Sequence, residues 1–211
     1  MILKVALTGN RFSGKNSVAR QFEKIGIPVF HADPIIKFIL GYRSDFETHI
    51  RQEKSLGAKM FTQGFLDPSK FKNTEQFNKL LEVIEFELFQ AYEKFNVANH
   101  DKTYTIFHSS ILFEKEWEQY FDKVINVFTP REQRFTRLRL ETNIPMSVLS
   151  DLIDSEMSEF EKNSKSDYVI HSYRDLVGQV CDCDKMIVDR CLTLKNINRI
   201  NNSVDKRQYV F

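Results

Sequence analysis

An apolar run from Ile2 to Leu7 leads directly into Thr8-Gly9-Asn10-Arg11-Phe12-Ser13-Gly14-Lys15-Asn16-Ser17, and a helix-like segment, Val18 to Ile25, follows. Strand, glycine loop and helix in that order constrain the chain more than anything else in it. Gly9 and Gly14 would let bare backbone N–H groups curl round an anion, and Lys15 would reach the outer phosphates of a nucleoside triphosphate. The loop from Gly9 to Ser17, comprising Gly9, Asn10, Arg11, Phe12, Ser13, Gly14, Lys15, Asn16 and Ser17, is therefore the expected nucleotide site. One position departs from the pattern. A hydroxyl residue is expected after the lysine, where it would hold Mg²⁺, and Asn16 stands there, with Ser17 one residue too late. An ordinary βα turn is the competing reading.

A chain of 211 residues predicts one domain with room for a full core. Thirty basic against twenty-nine acidic residues give no overall charge that would call for nucleic acid or an anionic membrane. Cys181, Cys183 and Cys191 are odd in number and clustered, which suits reduced thiols better than a disulfide framework or a zinc site. Met1-Ile2-Leu3-Lys4 runs straight into the first strand, and no apolar run reaches the roughly 18 residues of a membrane span. A soluble, cytoplasmic protein is the expectation.

Beyond the first helix, Gly26 to Asp33 reads as a turn into a short buried strand whose polar tail lies at the carboxyl end, where open α/β sheets bind ligands. Pro34 to Gly41 reads as helical, and Tyr42 to Lys72 as irregular with short helical pieces. Thr74 is a candidate N-cap for a long helix to about Ala98, with Phe77, Leu80, Leu81, Ile84, Leu88 and Tyr92 on one face. Thr103 to Phe107, ending at His108, and Val124 to Phe128 are β-branched or aromatic strands. Arg131 to Glu141, Pro145 to Ser155 and Glu156 to Lys165 read as helices. A last strand at Tyr168 to Ile170 and a helix from about Asp175 to Leu194 precede an Asn-rich, frayed tail. The alternation of strands and helices predicts an α/β fold with a parallel sheet covered on both faces.

Several segments, in order from about Leu3 to Val180, resemble the dephospho-coenzyme A kinase family of P-loop kinases. Gly26-Ile27-Pro28-Val29-Phe30-His31-Ala32-Asp33 stands where that family has Gly-Ile-Pro-Val-Ile-Asp-Ala-Asp, and Ser110-Ile111-Leu112-Phe113-Glu114 resembles its Pro-Leu-Leu-Phe-Glu. Arg134, Arg137 and Leu138 resemble its arginine-bearing helix, and Ser166 to His171 its Ala-Asp-Tyr-Val-Ile-Asn element. The resemblance implies a three-layer P-loop fold with a five-stranded parallel sheet and a helical lid. It would form a single kinase domain over residues 1–195, with the lid at about 131–165, an acceptor-binding helical region at about 34–100, and a polar tail at 196–211. It further implies ATP and Mg²⁺ as cofactors, a small-molecule acceptor, and transfer of the γ-phosphoryl to the ribose 3′-hydroxyl of dephospho-coenzyme A. Lys15 would neutralise the phosphates, and Asp33 would act as base or orienter beside the acceptor hydroxyl, or cap the following helix. Arg137, and Arg134 with it, would fold over the triphosphate, unless both lie on a solvated helix face.

Departures from the family pattern fall where metal and acceptor should sit. Asn16 replaces the metal-binding hydroxyl, His31 the first acid of the Asp-Ala-Asp segment, and His108 the acid ending the third core strand. Mg²⁺ prefers oxygen, so Asn16 and Asp33 are the expected protein ligands and weaker binding follows. Related P-loop kinases have the second and third core strands adjacent, which would bring His31 and His108 side by side, able to meet a softer metal or an acceptor phosphate. Phe86-Glu87 replaces a His-Pro pair, Glu141 a lid arginine and Glu156 a glutamine, so acceptor recognition is altered too. A nucleoside or deoxynucleoside monophosphate kinase, and an idle nucleotide-binding homologue, are the alternatives.

Overall fold

The structure, a computed structural model, describes residues 2–36, 61–62, 65–66, 75–141, 150, 153 and 156–205. Its centre is a five-stranded parallel sheet built from β1 (Leu3–Thr8), β2 (Val29–His31), β5 (Tyr104–His108), β6 (Lys123–Phe128) and β7 (Tyr168–His171), in the order β2-β5-β1-β6-β7. Helix α1 (Lys15–Lys24) follows β1, the long α2 (Glu75–Ala98) precedes β5, α3 (Arg131–Glu141) follows β6, α4 (Glu159–Ser164) precedes β7 and α5 (Leu176–Asp205) closes the chain. A two-stranded antiparallel ribbon, β3 (Phe61–Thr62) and β4 (Phe65–Leu66), lies in the stretch expected to be irregular.

Alternation along each strand divides the core into two layers. Val5 and Leu7 of β1, with Tyr104 and Ile106 of β5, face Val18, Ala19 and Phe22 of α1 and Val180, Cys183 and Ile187 of α5. Ala6 and Phe107 face the other way, against Ile84, Leu88 and Tyr92 of α2 and Trp117. The expected apolar stripe of α2 is thus buried at those three positions; Phe77, Leu80 and Leu81 fall outside the described side chains. Phe107 stacks on Phe30 and meets Tyr92 edge-on, with ring centroids 5.6 and 5.1 Å apart. Such offset and edge contacts each add about 1 kcal/mol beyond burial.

Two boundaries differ from expectation. The last helix runs on through Asp205 instead of ending at Leu194, because no proline or glycine interrupts the Asn-rich stretch and a helix stops only where something terminates it. The helix read over Pro34 to Gly41 begins earlier, with residues 32–36 helical and the remainder outside the described residues. Pro145 to Ser155 also falls largely outside them. Among the described residues no helix is long and apolar enough to cross a membrane, and the three cysteines are free.

Candidate active site

All five parallel strands point their carboxyl ends at one edge, and a cleft of about 1190 Å³ opens there, lined by Gly14, Lys15, Asn16, Asp33, His108 and Arg137 among others. The loop between β1 and α1 forms its floor. Three of its residues have left-handed φ: Gly9 at 151°, Phe12 at 59° and Gly14 at 91°. Gly9 is also packed too closely for any side chain, since a Cβ there would lie 2.5 Å from the Val127 carbonyl oxygen. Phe12 adopts its conformation despite its side chain, at a cost of about 1 kcal/mol or more. Its ring packs against the Leu138–Ile153 cluster, which fastens the loop to α3. Hydroxyl contacts hold the loop from the sheet side: Thr129 Oγ1 donates to the Ser13 carbonyl at 2.8 Å and meets Ser172 Oγ.

Lys15 lines the cleft from the first position of α1. It is buried, and its Nζ donates to the Asn10 carbonyl at 2.9 Å. Burial pushes its ammonium down to about 8, with Asp33 and Glu156 pulling the other way and Lys162 adding to the fall. A curled run of amides with an underused buried ammonium fits the phosphates of a nucleotide.

Asp33 lines the same cleft. Its Oδ1 accepts from the Ser110 backbone N–H at 3.2 Å and from Ser109 Oγ at 3.4 Å, which ties the end of β2 to the end of β5. His31 and His108 are register partners on those strands, as expected from the strand order, and their Nδ1 atoms stand 3.0 Å apart. The outer nitrogen of His31, Nε2, lies 3.1 Å from Glu23 Oε1. His108 is pushed down to about 4, first by burial and then by Lys15 and His31, against the pull of Asp33. Asn16 is exposed on the first turn of α1 and lines the same cleft. An amide oxygen and a carboxylate within one cleft fit a divalent cation held mainly by nucleotide and water.

The two arginines expected to act together are separated. Arg137 lines the cleft, its Nη1 donating to the Phe12 carbonyl at 3.1 Å and to Ser172 Oγ at 3.3 Å. Arg134 is buried and committed elsewhere. It meets Glu156 Oε2 at 2.7 Å and Glu159 Oε1 at 2.6 Å, and donates to the Arg11 carbonyl at 3.1 Å. Its guanidinium thus ties the phosphate loop to α4. Glu156, read from the sequence only as a lost glutamine, is the hinge of this arrangement: its other oxygen accepts from the Arg11 backbone N–H at 2.7 Å. Neither partner could be foreseen, because residues 11, 134 and 156 are joined by folding and not by spacing. Lys162, also missed, is buried and paired with Glu114 at 2.7 Å.

Sheet order, glycine loop and lysine together define the fold of the P-loop kinases. Within that class, the profile of the dephospho-CoA kinase family matches residues 3–177, and the chain belongs to that family. A dephospho-CoA kinase of Fusobacterium nucleatum is 29% identical over 181 residues, covering 83% of this chain and 92% of that one. One from Aquifex aeolicus is 31% identical over 135 residues, covering 61% and 68%. Among solved structures, TT1252 from Thermus thermophilus superposes with a TM-score of 0.66 at 20% identity, over 90% of this chain and 97% of its own. The dephospho-CoA kinase from Campylobacter jejuni gives 0.52 at 19%, over 87% and 96%.

Proposed function

We propose that this chain transfers the γ-phosphoryl group of ATP to the ribose 3′-hydroxyl of dephospho-coenzyme A. The observation that carries the reading is the convergence of Lys15 and Asp33 in one cleft, on a family member whose phosphate loop is already formed. Amides of the Gly9 to Ser17 loop grip the phosphates, and Lys15 leaves the Asn10 carbonyl to meet the oxygens that gain charge during transfer. Arg137 approaches from α3 with a guanidinium fork suited to the same oxygens. Asp33, anchored by Ser109 and Ser110, orients the acceptor hydroxyl and takes its proton.

Asn16 Oδ1 and the Asp33 carboxylate are the protein oxygens available to a divalent cation, whose contribution is to neutralise the phosphates. Arg134 belongs to the framework behind the loop and not to the phosphate grip. The cytoplasm is the compartment in which ATP and such an acceptor meet.

The test is direct. Protein incubated with ATP, Mg²⁺ or Mn²⁺, and a panel of dephospho-coenzyme A and (deoxy)nucleoside monophosphates should yield coenzyme A alone, identified by mass. Nucleoside diphosphates would select a monophosphate kinase instead, and ATP binding without product an idle homologue.

A further inference from the structure

The tautomers of the two facing histidines follow from their neighbours. A carboxylate can only accept, so the contact between His31 Nε2 and Glu23 Oε1 at 3.1 Å puts a hydrogen on Nε2 of His31. A neutral His31 then has a bare lone pair on Nδ1. The Nδ1 to Nδ1 contact of 3.0 Å needs one hydrogen, which His108 must supply. Neutral His108 is left with its lone pair on Nε2, and that atom is buried without a hydrogen-bond partner among the described residues. Leaving such an acceptor unmatched costs about 1–3 kcal/mol. Yet its side chain lines the cleft that also holds Lys15, Asn16 and Asp33.

We propose that His108 Nε2 is a nitrogen ligand for the divalent cation that accompanies the nucleotide, with Glu23 and His31 as positioning residues that fix its tautomer, so that this chain favours a borderline cation such as Mn²⁺ over Mg²⁺. An imidazole that ligates a metal nearly always donates its other N–H to an acceptor that orients the ring, and the Glu23–His31 pair supplies that acceptor. Nitrogen donors suit manganese, cobalt or zinc better than magnesium, which holds out for oxygen. Three substitutions thereby become one change. Asn16, His31 and His108 together exchange an oxygen-rich site for one with an amide oxygen, a carboxylate and an oriented imidazole.

The proposal rests on the nucleotide-binding half of the functional reading, and its test needs no turnover. In the ligand-free protein at pH 8, nitrogen-detected NMR should find His108 as the Nδ1–H tautomer; an Nε2–H tautomer would overturn the assignment. With ¹⁵N-histidine-labelled protein, Mn²⁺ and the β,γ-methylene analogue of ATP, pulsed EPR should show one directly bonded imidazole nitrogen. Absence of that coupling in protein that binds the analogue sinks the proposal while leaving the kinase reading intact. Failure to bind the analogue at all removes both. In His108→Asp an oxygen returns to the position, the coupling disappears, and the ratio of Mn²⁺ to Mg²⁺ affinity should fall about tenfold or more. Glu23→Lys donates to His31 Nε2, reverses the hydrogen-bond chain and should lower the same ratio; its added charge repels both dications alike, so the ratio isolates the ligand. An unchanged ratio in both variants would overturn the proposal.

Discussion

Lys15 Nζ donates to the Asn10 carbonyl at 2.9 Å, so the ammonium meant for phosphate lies folded back over the loop that carries it. Its charge is held against a desolvation penalty that brings it down to about 8. Lys15→Ala should therefore lower kcat/KM at least about a hundredfold, while the melting temperature stays level or rises, because a costly buried charge is gone. The two readouts, steady-state kinetics and calorimetry, must move apart; parallel losses would mean a structural role.

The same depression sets a pH dependence. Below about pH 8 the free protein carries the lysine charged, and above it the neutral amine cannot grip phosphate. Affinity for an ATP analogue, measured by titration calorimetry, should hold up to that pH and then fall about tenfold per unit. In Lys15→Ala the slope should vanish.

Asp33 is held by Ser109 and Ser110 from the neighbouring strand, a placement that survives loss of its charge. Asp33→Asn should reduce kcat by about 10²–10⁴ and, because the carboxylate also faces the cation that accompanies the nucleotide, raise the KM for the metal–ATP complex. A variant retaining wild-type kcat would remove Asp33 from the proton transfer.

Arg134 and Arg137 lie one turn apart and should fail in different ways. Arg134→Ala removes the cation from the buried Glu156 carboxylate and from the partly buried Glu159, which costs about 3 kcal/mol and lowers Tm by about 10 °C. Arg137→Ala should leave Tm nearly unchanged and instead slow phosphoryl transfer by about 10²-fold or more. Thermal melts paired with single-turnover rates distinguish the two.

His108 supplies a stability signature in acid. The unfolded chain takes up the proton near 6.5 and the folded one only at about 4, so between these values the unfolded state binds more protons. Stability is thus intact above pH 6.5 and falls as the pH drops toward 4, by up to about 3 kcal/mol from this group. Chemical denaturation across that range should show the fall in wild type and a flatter curve in His108→Asn.

The parts of this molecule legible in the sequence are those fixed by local pattern. Strand, loop and helix around Gly9 and Gly14, the apolar face containing Ile84, Leu88 and Tyr92, and the family segments around Asp33 and Phe113 carry their meaning in consecutive residues. The strand order of related P-loop kinases also implies that His31 and His108 meet, as they do. What could not be read was ionic partnership. Arg134 is expected beside Arg137 over the triphosphate, yet Glu156 and Glu159 arrive from a separate segment and pair with it. The depth of Lys15 was likewise invisible, since Asp33, Glu114, Glu156 and Lys162 are brought around it only by folding. Charge conflicts with the family pattern were visible, but their resolution lay in the fold.

Ser13 and Ser172 share Thr129 as a common anchor, and Phe12 is wedged under α3, so the phosphate loop is braced from both of its flanks. A cradle braced in this way stands ready before its guest arrives. Little chain entropy is lost at the moment of capture, and the attraction between amides and phosphate appears almost undiminished as affinity. Speed of nucleotide entry should then be governed by diffusion and by the lysine's release from Asn10, not by any ordering of the loop.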